Sequence, residues 1–326
     1  MPDAPTTLGA IGEAAALARI FPRLPASDAT LVGPGDDAAV LAAPDGRFVA
    51  TTDMMIHGPD FRLAWSSPFD LGWKAAASNV SDVAAMGATP TALVVALAVP
   101  AAVELEFLER FADGLRAACE ELAPGCGVVG GDLSVSDTLT VAVTAFGDLG
   151  GRVPVLRSGA RPGDAVAVSG ALGLAAEGLR LLFARAVDEN GTPDATRAAA
   201  LAAEEPERVR AQLRPAPPVG DGVRAADSGA TAMLDISDGL ALDARRIATA
   251  SGVGIDLSRD AVGSAEALTG GEDHALLATF PATTRLPGGF RRIGTVVEGD
   301  GVLVDGRPYD GRGGWDPFAG WNGGAG

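Results

Sequence analysis

The sequence predicts an α/β protein built as two α/β domains, residues 1–150 and 151–326. Three observations carry that expectation. Apolar runs of strand length alternate with segments of helical periodicity, and both halves repeat the mixture in similar order. The composition shifts at Gly150-Gly151. A chain of 326 residues, 47% of them apolar, is also long enough for one large or two ordinary domains.

Residues 9–22 place apolar side chains at helical spacing, and Pro22 and Pro25 close that stretch. Asp37–Leu41 and Arg47–Thr52 read as strands of a hairpin turning at Asp45-Gly46. Ser67 predicts a helix N-cap, with Pro68 in the first turn, Asp70 three residues after the cap and a stop at Gly87. The small residues from Lys74 to Met86 permit close packing. Thr91–Val99 reads as a buried strand and Val103–Leu122 as a long amphipathic helix. Gly127–Val129 and Thr138–Phe146 read as strands around a Gly-Gly-Asp turn. In the second half, a turn over Arg157–Asp164 feeds strand Ala165–Ser169 and helix Leu172–Val187, and 188–217 reads as a helical excursion or linker. Strand Thr231–Asp235, helix Gly239–Ala250 and strands His274–Phe280, Arg291–Val297 and Gly301–Val304 follow. The Gly-rich residues after Phe318 are expected to be disordered.

The net charge of −17 argues against nucleic-acid or anionic-membrane partners, which require basic patches. No run approaches the roughly 20 apolar residues of a membrane span. The N-terminus lacks the basic and apolar regions of a secretory signal, so a cytoplasmic location is expected. Cys119 and Cys126 are too few for a disulfide framework and lack zinc-site spacing; both are expected to be reduced and buried.

Acidic residues recur beside glycines or at the ends of apolar runs. They stand in Gly35-Asp36-Asp37, Thr51-Thr52-Asp53, Asn79-Val80-Ser81-Asp82, Gly130-Gly131-Asp132, Asp235-Ile236-Ser237-Asp238-Gly239 and Gly270-Gly271-Glu272-Asp273. Carboxylate oxygens are the ligands hard cations prefer, and Mg2+ usually reaches enzymes on nucleotide phosphates. The pattern points to metal-assisted phosphate chemistry. Lys74 is the only lysine, and its surroundings lack the glycines of a Walker A loop; no Gly-x-Gly-x-x-Gly stands between a strand and a helix either. A nucleotide would be bound outside those two folds.

These blocks, with Gly33-Pro34 before the first and Lys74 to Ala88 around the third, stand in the order seen in thiamine-monophosphate kinases. From about Leu8 to Phe318 the chain resembles that family, which belongs to the superfamily of aminoimidazole ribonucleotide synthetases and selenophosphate synthetases. The resemblance implies an aminoimidazole ribonucleotide synthetase-like fold whose N-terminal domain forms a homodimer. It implies ATP as co-substrate in the groove between the domains, several Mg2+ ions, and transfer of the γ-phosphoryl to thiamine monophosphate, giving thiamine diphosphate and ADP.

Carried over by position, Asp37, Asp53, Asp82, Asp132, Asp235 and Asp238 match metal-binding aspartates, and Thr51 and Thr52 fall where an oxygen completes the metal shell. Gly131, Asp132 and Ser237 match nucleotide contacts, and Arg157 matches a phosphate-binding arginine. Asp60, Glu272 and Trp315 fall on the acceptor side, the last two at positions that hold the thiamine moiety. No general base is expected, because a phosphomonoester with its second pKa near ~6 is already largely dianionic at neutral pH. Several cations would instead offset the repulsion between donor and acceptor phosphates, which is why one site would draw acids from many segments.

Three departures from the family pattern fall on the acceptor side. Asp60 stands where many members have histidine, Asp256–Gly270 is short, and Trp315-Asp316-Pro317-Phe318 replaces an aromatic-x-His-Phe. Two other readings are another ATP-dependent enzyme of the superfamily with a different acceptor, and a non-catalytic nucleotide-binding subunit.

Overall fold

The computed structural model describes residues 6–33, 39–311 and 314. Two short helices, α1 (Leu8–Ile11) and α2 (Glu13–Ile20), precede a ribbon of β1 (Thr30–Val32) and β2 (Val40–Leu41). Next come β3 (Val49–Ile56), α3 (Pro68–Ala85), β4 (Thr89–Val99), α4 (Leu105–Leu122), β5 (Gly127–Val135) and β6 (Thr140–Asp148). Strand β7 (Ala165–Ser169) leads to α5 (Leu174–Arg185), α6 (Ala195–Glu204), α7 (Pro206–Leu213) and α8 (Val219–Asp227). The chain continues through β8 (Ala232–Ile236), α9 (Leu240–Ser251), β9 (Gly254–Leu257), α10 (Arg259–Val262) and α11 (Ala265–Thr269). It closes with β10 (Ala275–Phe280), β11 (Arg291–Val297), β12 (Val302–Val304) and β13 (Arg307–Pro308).

Apart from the β1-β2 ribbon, the strands before Gly150 form a sheet in the order β3-β6-β4-β5, and those after it a sheet in the order β13-β12-β9-β11-β7-β10-β8. The fold class is α/β, as the alternating pattern predicts. In the first sheet only β4 and β5 run parallel; in the second, only β9 and β12. Along β6 burial alternates strictly, with Val141, Val143 and Ala145 inside, because that face is covered by α3 and α4. The opposite face, with Thr52, Met54, Ala142, Thr144, Ala96, Asp132 and Ser134, is partly or fully exposed.

Helix α3 is the hub. Its start is the expected capping box: the Ser67 hydroxyl accepts from the Asp70 N–H at 3.2 Å, and the Asp70 carboxylate accepts from the Ser67 N–H at 3.0 Å. Glycine lets α3 and α4 touch backbone to backbone. A methyl on Gly72 would sit 2.0 Å from the Phe111 carbonyl oxygen, and one on Gly114 2.1 Å from that of Phe69. Nearly all of α3 is buried, between the first sheet, α4, α8 and the ends of β8 and β10. Its neighbour α5 packs with α6 and α7, the helices of the expected 188–217 excursion, into a small core of their own with Trp65. Cys119 and Cys126 are both buried, as free thiols.

Two local expectations are overturned. The Asp45-Gly46 turn forms, but the strands beside it do not pair with each other. Strand β2 pairs with β1, while β3 pairs along its whole length with β6. An eight-residue ladder backed by Val141, Val143 and Ala145 outweighs a two-residue ribbon. Gly130-Gly131-Asp132 is not a turn either. These residues run through the middle of β5, just past an irregularity in its register with β4. No helix of the described residues is long and apolar enough to cross a membrane. The residues after Phe318 lie outside the described ones.

Candidate active site

Where α3 meets β3, β8 and the β10 approach, a cleft of about 410 Å3 opens between the two sheets. Asp53, Asp60, Lys74, Ser78, Asn79, Asp82, Arg157, Asp235, Ser237, Asp238, Glu272 and His274 line it. Most of the predicted site residues therefore meet in one place, although they come from segments up to about 220 residues apart. Asp53 projects from mid-strand β3 towards the face covered by α3, and Asp82 from the second half of that helix. Thr51, on the same face of β3, donates its hydroxyl to Asp82 at 2.8 Å.

The acids crowd one another. Burial, then repulsion from Asp235 and Asp53, pushes the Asp82 carboxyl up to about 7. Burial raises Asp53 as well, with repulsion from Asp235, Glu272 and Asp238 adding to it. Asp60 is raised by burial, although its carboxylate accepts from the Ile56 N–H at 2.7 Å. Asp238 is ion-paired with Arg246, which also holds Asp243. Arg157 lines the cleft and makes no ion pair among the described residues.

Three cleft residues carry roles that the sequence reading did not assign. His274 Nδ1 lies 3.0 Å from Asp235 and Nε2 3.2 Å from Ser78 Oγ. The Asp235 carboxylate can only accept, so Nδ1 donates to it; the Ser78 hydroxyl lies 3.0 Å from the Lys74 carbonyl as well as 3.2 Å from Nε2. Burial alone would lower the His274 pKa, but the hydrogen bond and charge of Asp235 raise it overall. The arrangement is a buried brace for Asp235. It is no hydrolytic triad, because Ser78 is buried within α3 and its hydroxyl lies against that helix's own Lys74 carbonyl. Asn79 is 1% exposed; its amide N–H donates to the Ala75 carbonyl at 2.9 Å, which fixes the amide orientation and leaves Oδ1 without a partner. Lys74, also buried, is ion-paired with Glu272.

The Gly-Gly-Glu-Asp segment is gripped from several sides. Glu272 and His274 both have left-handed backbone, with φ of 72° and 52°, uncommon for residues with a side chain. The Glu272 N–H donates to the Ser237 carbonyl at 2.8 Å. A methyl on Gly271 would lie 2.2 Å from that oxygen, so only glycine permits the approach. Asp273 accepts from the N–H groups of Gly173 and Ala175 at the start of α5, at 2.6 and 2.8 Å. Strain held by so many contacts is typical of functional loops.

Three predicted residues lie elsewhere. Thr52 points to the exposed face of the first sheet, its hydroxyl bonded to the Val143 carbonyl at 2.9 Å. Gly131 and Asp132 sit on β5, at the opposite edge of that sheet from β3. Asp132 is in register with Ala96, Ala142 and Met54, so it shares the exposed face with Met54 and points away from the side that Asp53 takes. Three strand spacings, about 14 Å, also separate β3 from β5. One chain does not bring Asp132 to the cleft. The reason is strand order, which no local motif reveals. Gly131 and Asp132 instead border a largely apolar cleft of about 600 Å3, with Phe21, Leu24, Val95 and Leu108 among its walls. Asp37 and Trp315 lie outside the described residues; Gly33 and Ala39, on either side of the segment containing Asp37, line this second cleft.

Among the described residues, no group of three or more His, Cys, Asp or Glu side chains is placed to hold a metal ion by itself. The donor set nevertheless fits Mg2+. Hard oxygens dominate, Asp53 and Asp82 repel one another without a cation on either, and the buried Asn79 Oδ1 lacks a donor.

Comparison with known proteins gives consistent relatives. The AIR synthase related protein N-terminal domain matches residues 35–149. A thiamine-monophosphate kinase of Mycobacterium tuberculosis is 44% identical over 96% of this chain and 93% of its own length. Among solved structures, thiamine monophosphate kinase from Aquifex aeolicus superposes with a TM-score of 0.71 at 34% identity, covering 83% of this chain and 91% of that one. AaThiL complexed with AMPPCP and TMP gives 0.71 at 33% identity, over 86% and 90% of the two chains.

Proposed function

The chain belongs to the thiamine-monophosphate kinase family, and we propose that it carries out the reaction of that name: transfer of the γ-phosphoryl of ATP to thiamine monophosphate, giving thiamine diphosphate and ADP. The observation that carries this reading is the convergence of Asp53, Asp82, Asp235 and Asp238 with Arg157 and Glu272 on a single cleft. The two sheets are taken as the centres of two domains, 1–150 and 151–326, with the cleft between them.

Donor and acceptor are both polyanions. Two unit charges ~4 Å apart repel by about 4 kcal/mol at an effective dielectric of ~20. Bound Mg2+ supplies the neutralising charge that lets the two phosphates approach. Asp53, Asp82 and Asp235, with Thr51 and Asn79 beside them, are the residues to hold it; His274 keeps Asp235 in place. Arg157 adds a planar fork of donors for a phosphate. Glu272, negatively charged and lining the same cleft, suits the cationic ring of the acceptor. No side chain needs to remove a proton, because the attacking phosphate oxygen is already ionised at neutral pH.

The position of Gly131 and Asp132 supports a homodimer through the exposed face of the first sheet. In a two-fold pairing, each edge strand can face its counterpart's opposite edge. Asp132 of one copy then completes the acidic cleft of the other, and the apolar cleft beside Gly131 receives the adenine. A cytoplasmic location fits the use of ATP.

The test is an acceptor assay with purified chain, ATP and MgCl2, following ADP release and thiamine diphosphate together. Thiamine diphosphate formed at a rate matching ADP release supports the assignment. ADP released only with another phosphorylated or amide acceptor would transfer the chain to a different activity of the superfamily, and nucleotide binding without turnover would make it a binding subunit.

A further inference from the structure

Lys74 is the single lysine of the chain, yet its ammonium is buried, where a lone charge is costly. Its Nζ donates to the Glu272 carboxylate and lies 3.3 Å from the Gln212 main-chain carbonyl. With the Gln212 amide turned to donate to the Ala175 carbonyl at 2.9 Å, its side-chain oxygen accepts from Nζ at 3.2 Å. An ammonium has three protons, and here each has an acceptor. None is left for a phosphate. Glu272 spends one oxygen on Lys74 and remains 38% exposed on the cleft side.

We propose that Lys74 is the positioning residue of acceptor recognition: anchored to α7 through Gln212, it aims the Glu272 carboxylate into the cleft to receive the acceptor's cationic ring. The proposal rests on the kinase reading of the cleft. Geometry leaves Lys74 little other work, since it lies on the helix face shared by Ser78 and Asp82 but is capped by Gln212 and Glu272. Burial in an acidic cleft would push the Glu272 carboxyl up; the adjacent ammonium instead holds it below its ordinary value. The α5–α7 unit thereby gains a function. Trp73 donates to the Pro215 carbonyl at 2.7 Å, and Arg214 pairs with Asp70 at 3.0 Å, so the helices that support Gln212 are fastened to α3 itself.

The test is a double-mutant cycle of Lys74→Met and Glu272→Gln, read as KM for each substrate and as kcat. Both single variants should raise the KM for thiamine monophosphate about tenfold and leave the KM for ATP within about twofold. Because Lys74 acts through Glu272, the double variant should be no worse than Glu272→Gln alone. It also removes both buried charges together, so it remains informative if Lys74→Met alone fails to fold. A lysine-labelled wild-type sample supplies an independent readout, since its one side-chain ammonium signal should move with thiamine monophosphate and stay put with ATP and MgCl2. Additive effects, an equal rise in the KM for ATP, or a lysine signal that ignores the acceptor would overturn the proposal. A wild-type chain that does not phosphorylate thiamine monophosphate is a separate failure, of the activity itself, and is visible before any variant is made.

Discussion

Asp82→Asn separates what the acidic cleft does for catalysis from what it does to stability. The Asp82 carboxyl is displaced from 3.8 to about 7, by burial and by the charges of Asp235 and Asp53. Each pH unit of displacement corresponds to about 1.4 kcal/mol. Above pH 7 the ionised carboxylate thus opposes folding by about 4 kcal/mol, reduced to about 2 kcal/mol when solvent at the cleft mouth screens it. The folded value lies above the unfolded one, so the stabilising contribution of the protonated group is complete below pH ~4 and is lost as pH rises through about 7. Asparagine has nearly the same shape, keeps an oxygen for the Thr51 hydroxyl and carries no charge. In EDTA at pH 8, the variant should be more stable than wild type by about 2 kcal/mol, a gain of about 3 °C in Tm. At pH 5 that gain should shrink by more than half. Turnover with MgCl2 should meanwhile fall on the order of 100-fold. Differential scanning calorimetry at the two pH values, beside the kinase assay, reads both effects. A variant that melts at or below wild type at pH 8, or whose gain is the same at both pH values, refutes the argument from charge crowding.

Two further outcomes are expected. Asp53→Asn and Asp132→Asn should each be inactive alone, but refolding them together should restore about a quarter of wild-type activity, since half of randomly paired dimers carry one intact site of two; no recovery would mean that both aspartates serve the same copy's site. MgCl2 should raise the Tm more at pH 8 than at pH 5.5, because Asp53 and Asp82 must be ionised to hold it. At 100 times the Kd the gain at pH 8 is about 2.7 kcal/mol, and equal shifts at both pH values would remove these two carboxylates from the metal site.

What the sequence made legible was mostly local. The capping box at Ser67 and Asp70 needs three residues to be recognised, and it formed as read. The acid blocks were legible as chemistry because carboxylate and glycine together are an unusual expense of polar surface in apolar runs. Most of them, Asp53, Asp82, Asp235, Asp238 and Glu272, do converge. What stayed hidden depended on strand order and long-range pairing. Gly130-Gly131-Asp132 has the composition of a turn, and only the ladder with β4 makes it a strand. The Asp45-Gly46 turn looked like the centre of a hairpin, yet the partner of β3 lies about ninety residues further on. Lys74 stood out as the sole lysine, but its partners on α7 and in the Glu272 loop are contacts of the folded chain alone. The same holds for Asn79, whose orphaned oxygen is defined by what surrounds it.

Helix α3 places Lys74 and Asp82 eight residues apart, which at 1.5 Å per residue is a fixed gauge of about 12 Å. In the proposed site, the Lys74 end sets where Glu272 meets the acceptor's ring and the Asp82 end sets where its phosphate is held. On that reading a shorter phosphate ester would satisfy either end but not both, and the helix would select by length before any contact selects by chemistry. Adding or deleting one residue between the two would swing one end by about 100° around the axis, which makes this stretch of backbone intolerant of any change in its count.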